Sequence, residues 1–166
     1  MHILINKKFL YFNNYKTKCA IGKRGINYKT KEGDFITPKG NFKIKYILYR
    51  KDRIKNFKTK IKSVVIKKNM GWCNDPESKE YNKSVKLPSS FNHEKLYKKE
   101  NIYDIILVIN YNMNPIKRNK GSAIFIHIAK KNYKKTEGCV AIKKRELLKI
   151  VKKIKPNTKI KIFSQK

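Results

Sequence analysis

The sequence predicts a mainly β domain, and three observations carry that expectation. Apolar residues come in short runs rather than long stripes. The apolar content leans to Ile, Tyr, Phe and Val, residues that suit a pleated, half-buried surface. One stretch, residues 143–153, repeats its apolar side chains at helical spacing. The 166 residues read as a single domain, 1–166, long enough to bury a real core.

The elements follow in order. Residues 2–5 and 8–12 read as two short strands around Asn6-Lys7, and residues 15–21 as a third after a turn at Asn13-Asn14. A glycine-punctuated loop then runs over residues 22–42, where Gly22, Gly25, Gly33, Pro38 and Gly40 supply turn geometry. Residues 42–49 alternate Phe42, Ile44, Tyr46 and Leu48 with other positions, the signature of a strand. Residues 63–66 form another. Residues 67–101 read as a long, mostly irregular excursion that holds the only Trp, and loops of that length are often functional. Residues 103–110 and 123–128 are apolar enough to be strands buried on both faces. The helix of 143–153 carries Leu147, Leu148, Ile150 and Val151, Pro156 follows it, and residues 158–163 close the chain as a strand.

Charge bounds the partners. The chain holds 43 Lys and Arg against 11 Asp and Glu, a formal charge of +32. Such a field draws polyanions such as nucleic acid, anionic lipid or acidic wall polymers. Yet lysine is spread from end to end instead of clustering on one element, which argues against a specific nucleic-acid function. Cys19, Cys73 and Cys139 lie in no metal-binding spacing, and His2, His93 and His127 are scattered, so no metal site is expected. No apolar stretch approaches the length of a transmembrane span. The first 16 residues do not read as a signal peptide, because Lys7-Lys8 break the apolar runs and no small-residue cleavage site follows.

One constellation carries chemistry. His127 sits in Phe125-Ile126-His127-Ile128, Cys139 sits in Gly138-Cys139-Val140-Ala141-Ile142, and a lysine-rich loop joins them. One reading is an ordinary β-hairpin with two incidental residues, since a buried Cys is often a small core residue. The other is a nucleophile and its base. A cysteine attacks as the thiolate and needs a base or a positive setting to form it. Adjacent strand ends about 5 Å apart would bring thiol and imidazole together. Gly138 before the cysteine frees the backbone to turn its N–H groups toward one point, as an oxyanion hole requires.

The neighbouring residues resemble the signature of the L,D-transpeptidase family, the YkuD-type catalytic domain: a His, a spacer, then Ser/Thr-His-Gly-Cys. Here it reads His127, a spacer and Thr136-Glu137-Gly138-Cys139. Upstream, Thr37, Pro38, Gly40 and Phe42 match a T-P-x-G-x-F loop. Gly71-Trp72-Cys73, Tyr81-Asn82, Gly121-Ser122-Ala123-Ile124-Phe125 and Thr136–Ala141 resemble a bacterial branch of that family. The resemblance spans residues 19–163. Glu137 replaces the second His of the signature, the spacer is shorter than in the better-known members, and Ala141-Ile142 stand where those carry an Arg.

The resemblance implies a β-sandwich of mixed strands with one helix in the C-terminal half and a long loop excursion. It implies a cysteine acyltransferase acting on peptidoglycan stem peptides through a thioester, with no metal or organic cofactor. Cys139 would be the nucleophile and His127 the general acid–base. The backbone N–H groups of Gly138 and Cys139 would form the oxyanion hole. Thr136, Trp72, Tyr81, Asn82, Asn110 and Tyr111 are candidates to line the substrate cleft, with loop anchoring as their other reading. Cys73, near His93 in the excursion, is the rival nucleophile. Water in place of an amine would make the enzyme a carboxypeptidase or amidase, and a basic polymer-binding module is the non-catalytic alternative. The chemistry places the protein in the periplasm or cell envelope.

Overall fold

Short apolar runs fold into most of the strands. The structure, a computed structural model, describes residues 1–164. Its strands are β1 (His2–Ile5), β2 (Phe9–Phe12), β3 (Tyr15–Ala20), β4 (Ile26–Asn27), β5 (Thr37–Pro38), β6 (Gly40–Tyr49) and β7 (Ser63–Val65). There follow β8 (Met70–Cys73), β9 (Ser84–Lys86), β10 (His93–Lys95), β11 (Ile105–Ile109), β12 (Phe125–Ile128) and β13 (Val140–Ile142). The helix α1 (Lys144–Lys153) and strand β14 (Lys159–Ile162) complete the chain.

The main assembly is a sandwich of mixed strands. The pairing runs β11-β12-β13-β3-β2-β1-β14-β6, and β6 pairs back to β11, so the two sheets are joined at both edges. The long β6 belongs to both: Gly40–Lys43 pair with β14, and Ile44–Tyr49 pair with β11. β3 does the same on the other side, with Tyr15–Lys18 on β2 and Cys19-Ala20 on β13. The pairs β1–β14, β12–β13 and β6–β7 are parallel and the remaining ladders of this sheet antiparallel.

Two cores follow from the two-residue period of the strands. Ile105, Leu107 and Ile109 of β11 face a large cluster between the sheets, joined by Ile126 and Ile128 of β12 and Val140 and Ile142 of β13. Leu147, Ile150 and Val151 of α1 seal that cluster. Ile106, Val108 and Phe125 face a second cluster with Leu48, Trp72, Leu96 and Tyr103. This explains why both strands are apolar without interruption: each face meets a separate core. In α1, Glu146 in the first turn and Lys152 and Lys153 in the last suit the helix dipole. Among the described residues, no helix is long and apolar enough to cross a membrane.

Three expectations need correction. The excursion at 67–101 is no irregular loop, because β8 forms the centre of a three-stranded sheet between β9 and β10. Its flanking strands, Ser-Val-Lys and His-Glu-Lys, are short and polar, so no apolar period announced them. The loop of 22–42 contains the two-residue pair β4–β5. Residues 125–142 form no hairpin. β12 and β13 run parallel, in register Ile126↔Val140, His127↔Ala141 and Ile128↔Ile142, and residues 129–139 cross between them.

Candidate active site

Strand register puts the candidate pair on one face. Ile126 and Ile128 point into the inter-sheet core, so His127 points the other way, and the same period turns Cys139 and Ala141 to the side of His127. Cys139 lies one strand across from His127 and two residues along, roughly 8 Å between Cα atoms by strand spacing. Both line one cleft of about 840 Å³, also walled by Glu94, Tyr103, Lys29 and Thr136.

The imidazole is held in one orientation. His127 Nδ1 lies 2.9 Å from the carbonyl oxygen of Ile128. A carbonyl only accepts, so Nδ1 carries the hydrogen and Nε2 keeps the basic lone pair. The Tyr103 ring packs edge-on against the imidazole, with centroids 5.2 Å apart. Burial pushes the His127 pKa down to about 4, against the weaker upward pull of the Ile128 carbonyl.

Cys139 lines the cleft as a partly exposed residue, in contrast with the buried Cys19 and Cys73. Its Sγ donates to the Ala123 carbonyl at 3.1 Å and accepts from the Phe125 N–H at 3.4 Å. Burial pushes the Cys139 pKa up to about 12, and the negative field of Glu94 adds to the rise. Thiol and imidazole are therefore both uncharged at neutral pH. A thiolate can form here only as the proton passes to a base.

The turn that presents the thiol is tied from several directions. Thr136 Oγ1 donates to the Cys139 carbonyl at 2.5 Å and accepts from the Gly138 N–H at 3.2 Å. Thr37 Oγ1 donates to the Gly138 carbonyl at 2.8 Å and accepts from the Gly22 N–H at 2.8 Å. Gly138 has φ of +143°, and a Cβ there would sit 3.0 Å from the Ile36 carbonyl oxygen, so glycine is required at this position. The T-P-x-G-x-F loop thus lies directly behind the Gly-Cys turn.

The sequence-derived candidates separate into two groups. His127, Gly138, Cys139 and Thr136 converge on the cleft. Trp72, Tyr81, Asn82, Asn110 and Tyr111 do not line it, which corrects the expectation for them. Asn82 is buried and saturated: its Oδ1 accepts from Trp72 Nε1 and the Ala123 N–H, and its Nδ2 donates to the Tyr111 and Asn112 carbonyls. Tyr81 is buried and bonds Glu32 and the Gly121 N–H. Tyr111 donates to the Lys120 carbonyl, and Asn110 accepts from the Lys43 N–H. All five anchor loops.

The oxyanion expectation is also corrected in part. The Gly138 N–H is engaged by Thr136, while the Cys139 N–H is unengaged among the described residues. Cys73 stands opposite His93 across β8 and β10, but it is fully buried and away from the cleft. Sequence reasoning missed Tyr103, Glu94 and Lys29. Tyr103 Oη donates to Glu94 Oε1 at 2.7 Å. Lys29, its side chain 3% exposed, is paired with the fully buried Asp34 and donates to the Ile36 carbonyl at 3.2 Å. Gly121 makes room for it, since a Cβ there would fall 2.1 Å from Lys29 Cε.

Comparison with known proteins adds a family. The model of the YkuD L,D-transpeptidase catalytic domain matches residues 2–162. A search of curated proteins finds no match. Among solved structures, a point mutant of the helical cell shape determining protein Pgp2 from Campylobacter jejuni is similar. It shares 18% identity and a TM-score of 0.44, over 99% of this chain and 47% of that one. The present chain spans about half the length of that protein.

Proposed function

The chain belongs to the YkuD family of L,D-transpeptidase catalytic domains, and on that premise we propose that it is a cysteine acyltransferase acting on peptidoglycan stem peptides. The single observation that carries the reading is the shared cleft. The thiol of Cys139 and the imidazole of His127 both belong to its lining, and the imidazole has its Nδ1 committed to the Ile128 carbonyl.

In this reading a stem peptide lays the carbonyl of its L-centre over Cys139. The thiol proton leaves the Ala123 carbonyl for His127 Nε2 as Sγ bonds to the carbonyl carbon. The unengaged Cys139 N–H donates to the developing oxyanion. His127 returns the proton to the departing D-Ala amine, and a thioester remains. An amine of a second stem then attacks the thioester, and the Cys139 thiol is regenerated. Ile128 serves through its carbonyl as the orienting third member. The substrate puts this work in the periplasm or cell envelope.

Incubation of the purified protein with tetrapeptide muropeptides, followed by mass analysis, tests the reading. Cross-linked dimers with loss of one D-Ala are expected. Tripeptides without dimers would make the enzyme a carboxypeptidase. Unchanged muropeptides, with wild type and Cys139→Ala alike, would overturn the proposal.

A further inference from the structure

The cleft is lined by six lysines, Lys23, Lys29, Lys98, Lys130, Lys134 and Lys135, against the three carboxylates of Glu32, Glu94 and Glu137. Of these carboxylates, Glu32 is engaged by Tyr81, and Glu137 is exposed on the crossing loop. Glu94 is different. Its Oε1 is fixed by Tyr103 Oη at 2.7 Å, and Tyr103 in turn lies against the His127 ring. Lys98 reaches the same Oε1 at 3.4 Å, with a side chain 25% exposed. Oε2 has no protein partner among the described residues. A carboxylate in the wall of the same cleft is therefore anchored through Tyr103, with one oxygen open.

We propose that Glu94 is the specificity residue that receives the acyl acceptor, a primary amine arriving as its ammonium ion. The inference rests on the acyltransferase reading and deepens it. The field of Glu94 raises the Cys139 thiol pKa and so does not favour the thiolate. Its sign suits a cation approaching the neutral thioester. In a cleft of net positive charge an ammonium has few favourable positions, and Glu94 Oε2 supplies one on the wall where Tyr103 joins Glu94 to His127.

The second half-reaction then balances. The ammonium docks on Glu94 and releases one proton to solvent. The neutral nitrogen attacks the thioester carbonyl and gives a second proton to His127. The C–N bond forms, the C–S bond breaks, and His127 passes that proton to Sγ. The third proton stays on the new amide.

The test is a partition measurement on the full chain. A tetrapeptide muropeptide serves as donor, and glycinamide competes with hydroxylamine, which is largely uncharged at neutral pH. Amide and hydroxamate products are read by mass. With Glu94→Gln, which still accepts from Tyr103, the amide-to-hydroxamate ratio should fall about tenfold. Glu94→Asp, which keeps the charge, should recover part of it. With wild type, added salt should lower the same ratio.

An unchanged ratio in Glu94→Gln, or a wild-type ratio insensitive to salt, overturns the inference. So does a Glu94→Gln variant that forms no acyl-enzyme while wild type does, because Glu94 would then serve acylation or folding. A wild type that forms no acyl-enzyme at all overturns the underlying reading.

Discussion

His127 titrates far below an ordinary histidine because it is 7% exposed and held as a neutral ring. Its folded pKa of about 4 lies below the usual 6.5 of an unfolded chain. The unfolded state therefore binds the proton first. The stabilisation is complete above about pH 6.5 and drains away as pH falls toward 4, by roughly 3 kcal/mol. Denaturant unfolding of wild type and His127→Gln across that window should show this acid-dependent loss in wild type alone. The same shift predicts that acylation persists down to pH 5, and an acid limb centred near 6.5 would contradict it. At this scale the sequence offered Cys139, His127, Gly138 and Thr136 as candidates because they share one short segment. Tyr103, Glu94 and the Ile128 carbonyl escaped it. Folding alone brings the first two to the cleft, and a backbone oxygen has no residue type to betray it.

The parallel pairing of β12 with β13 decides how the site is built. Parallel neighbours need a crossing segment, and residues 129–139 return the chain so that the Gly-Cys turn enters β13 from the same end at which β12 begins. The turn is then braced by Thr37 of β5, fully buried and bonded to both Gly138 and Gly22. Thr37→Val leaves a buried carbonyl and a buried N–H without partners. It should cost about 2–4 kcal/mol in thermal or denaturant unfolding and slow Cys139 acylation, while Thr37→Ser retains both. Strand positions were legible wherever apolar residues alternated, as in β6, or ran unbroken, as in β11. Pairing direction was not, because a short loop between two apolar runs fits a hairpin as well as a crossover. The small sheet of β8 to β10 stayed hidden because Gly71 and the lysines of its edge strands erase the period.

The whole molecule carries +32 on a sandwich whose interior is apolar, so nearly all of its charge faces solvent or the cleft. A field of that size draws anionic polymers irrespective of the chemistry. Pelleting with purified sacculi should therefore fall steeply from low to high salt, and equally for wild type and Cys139→Ala. Binding that vanished in the alanine variant would mean that the cysteine, not the lysine surface, holds the polymer. Attraction and catalysis are separable in this way, because the lysines are distributed over the surface while Cys139 lines one cleft.

In the proposed reaction Cys139 becomes acylated. Acid-quenched intact-mass analysis with peptide mapping, after mixing the protein with a tetrapeptide stem, tests it most directly. An adduct of the stem less its D-Ala is expected on the peptide containing Cys139, and none in Cys139→Ala. An adduct on Cys19 or Cys73, or one that survives in Cys139→Ala, would contradict it.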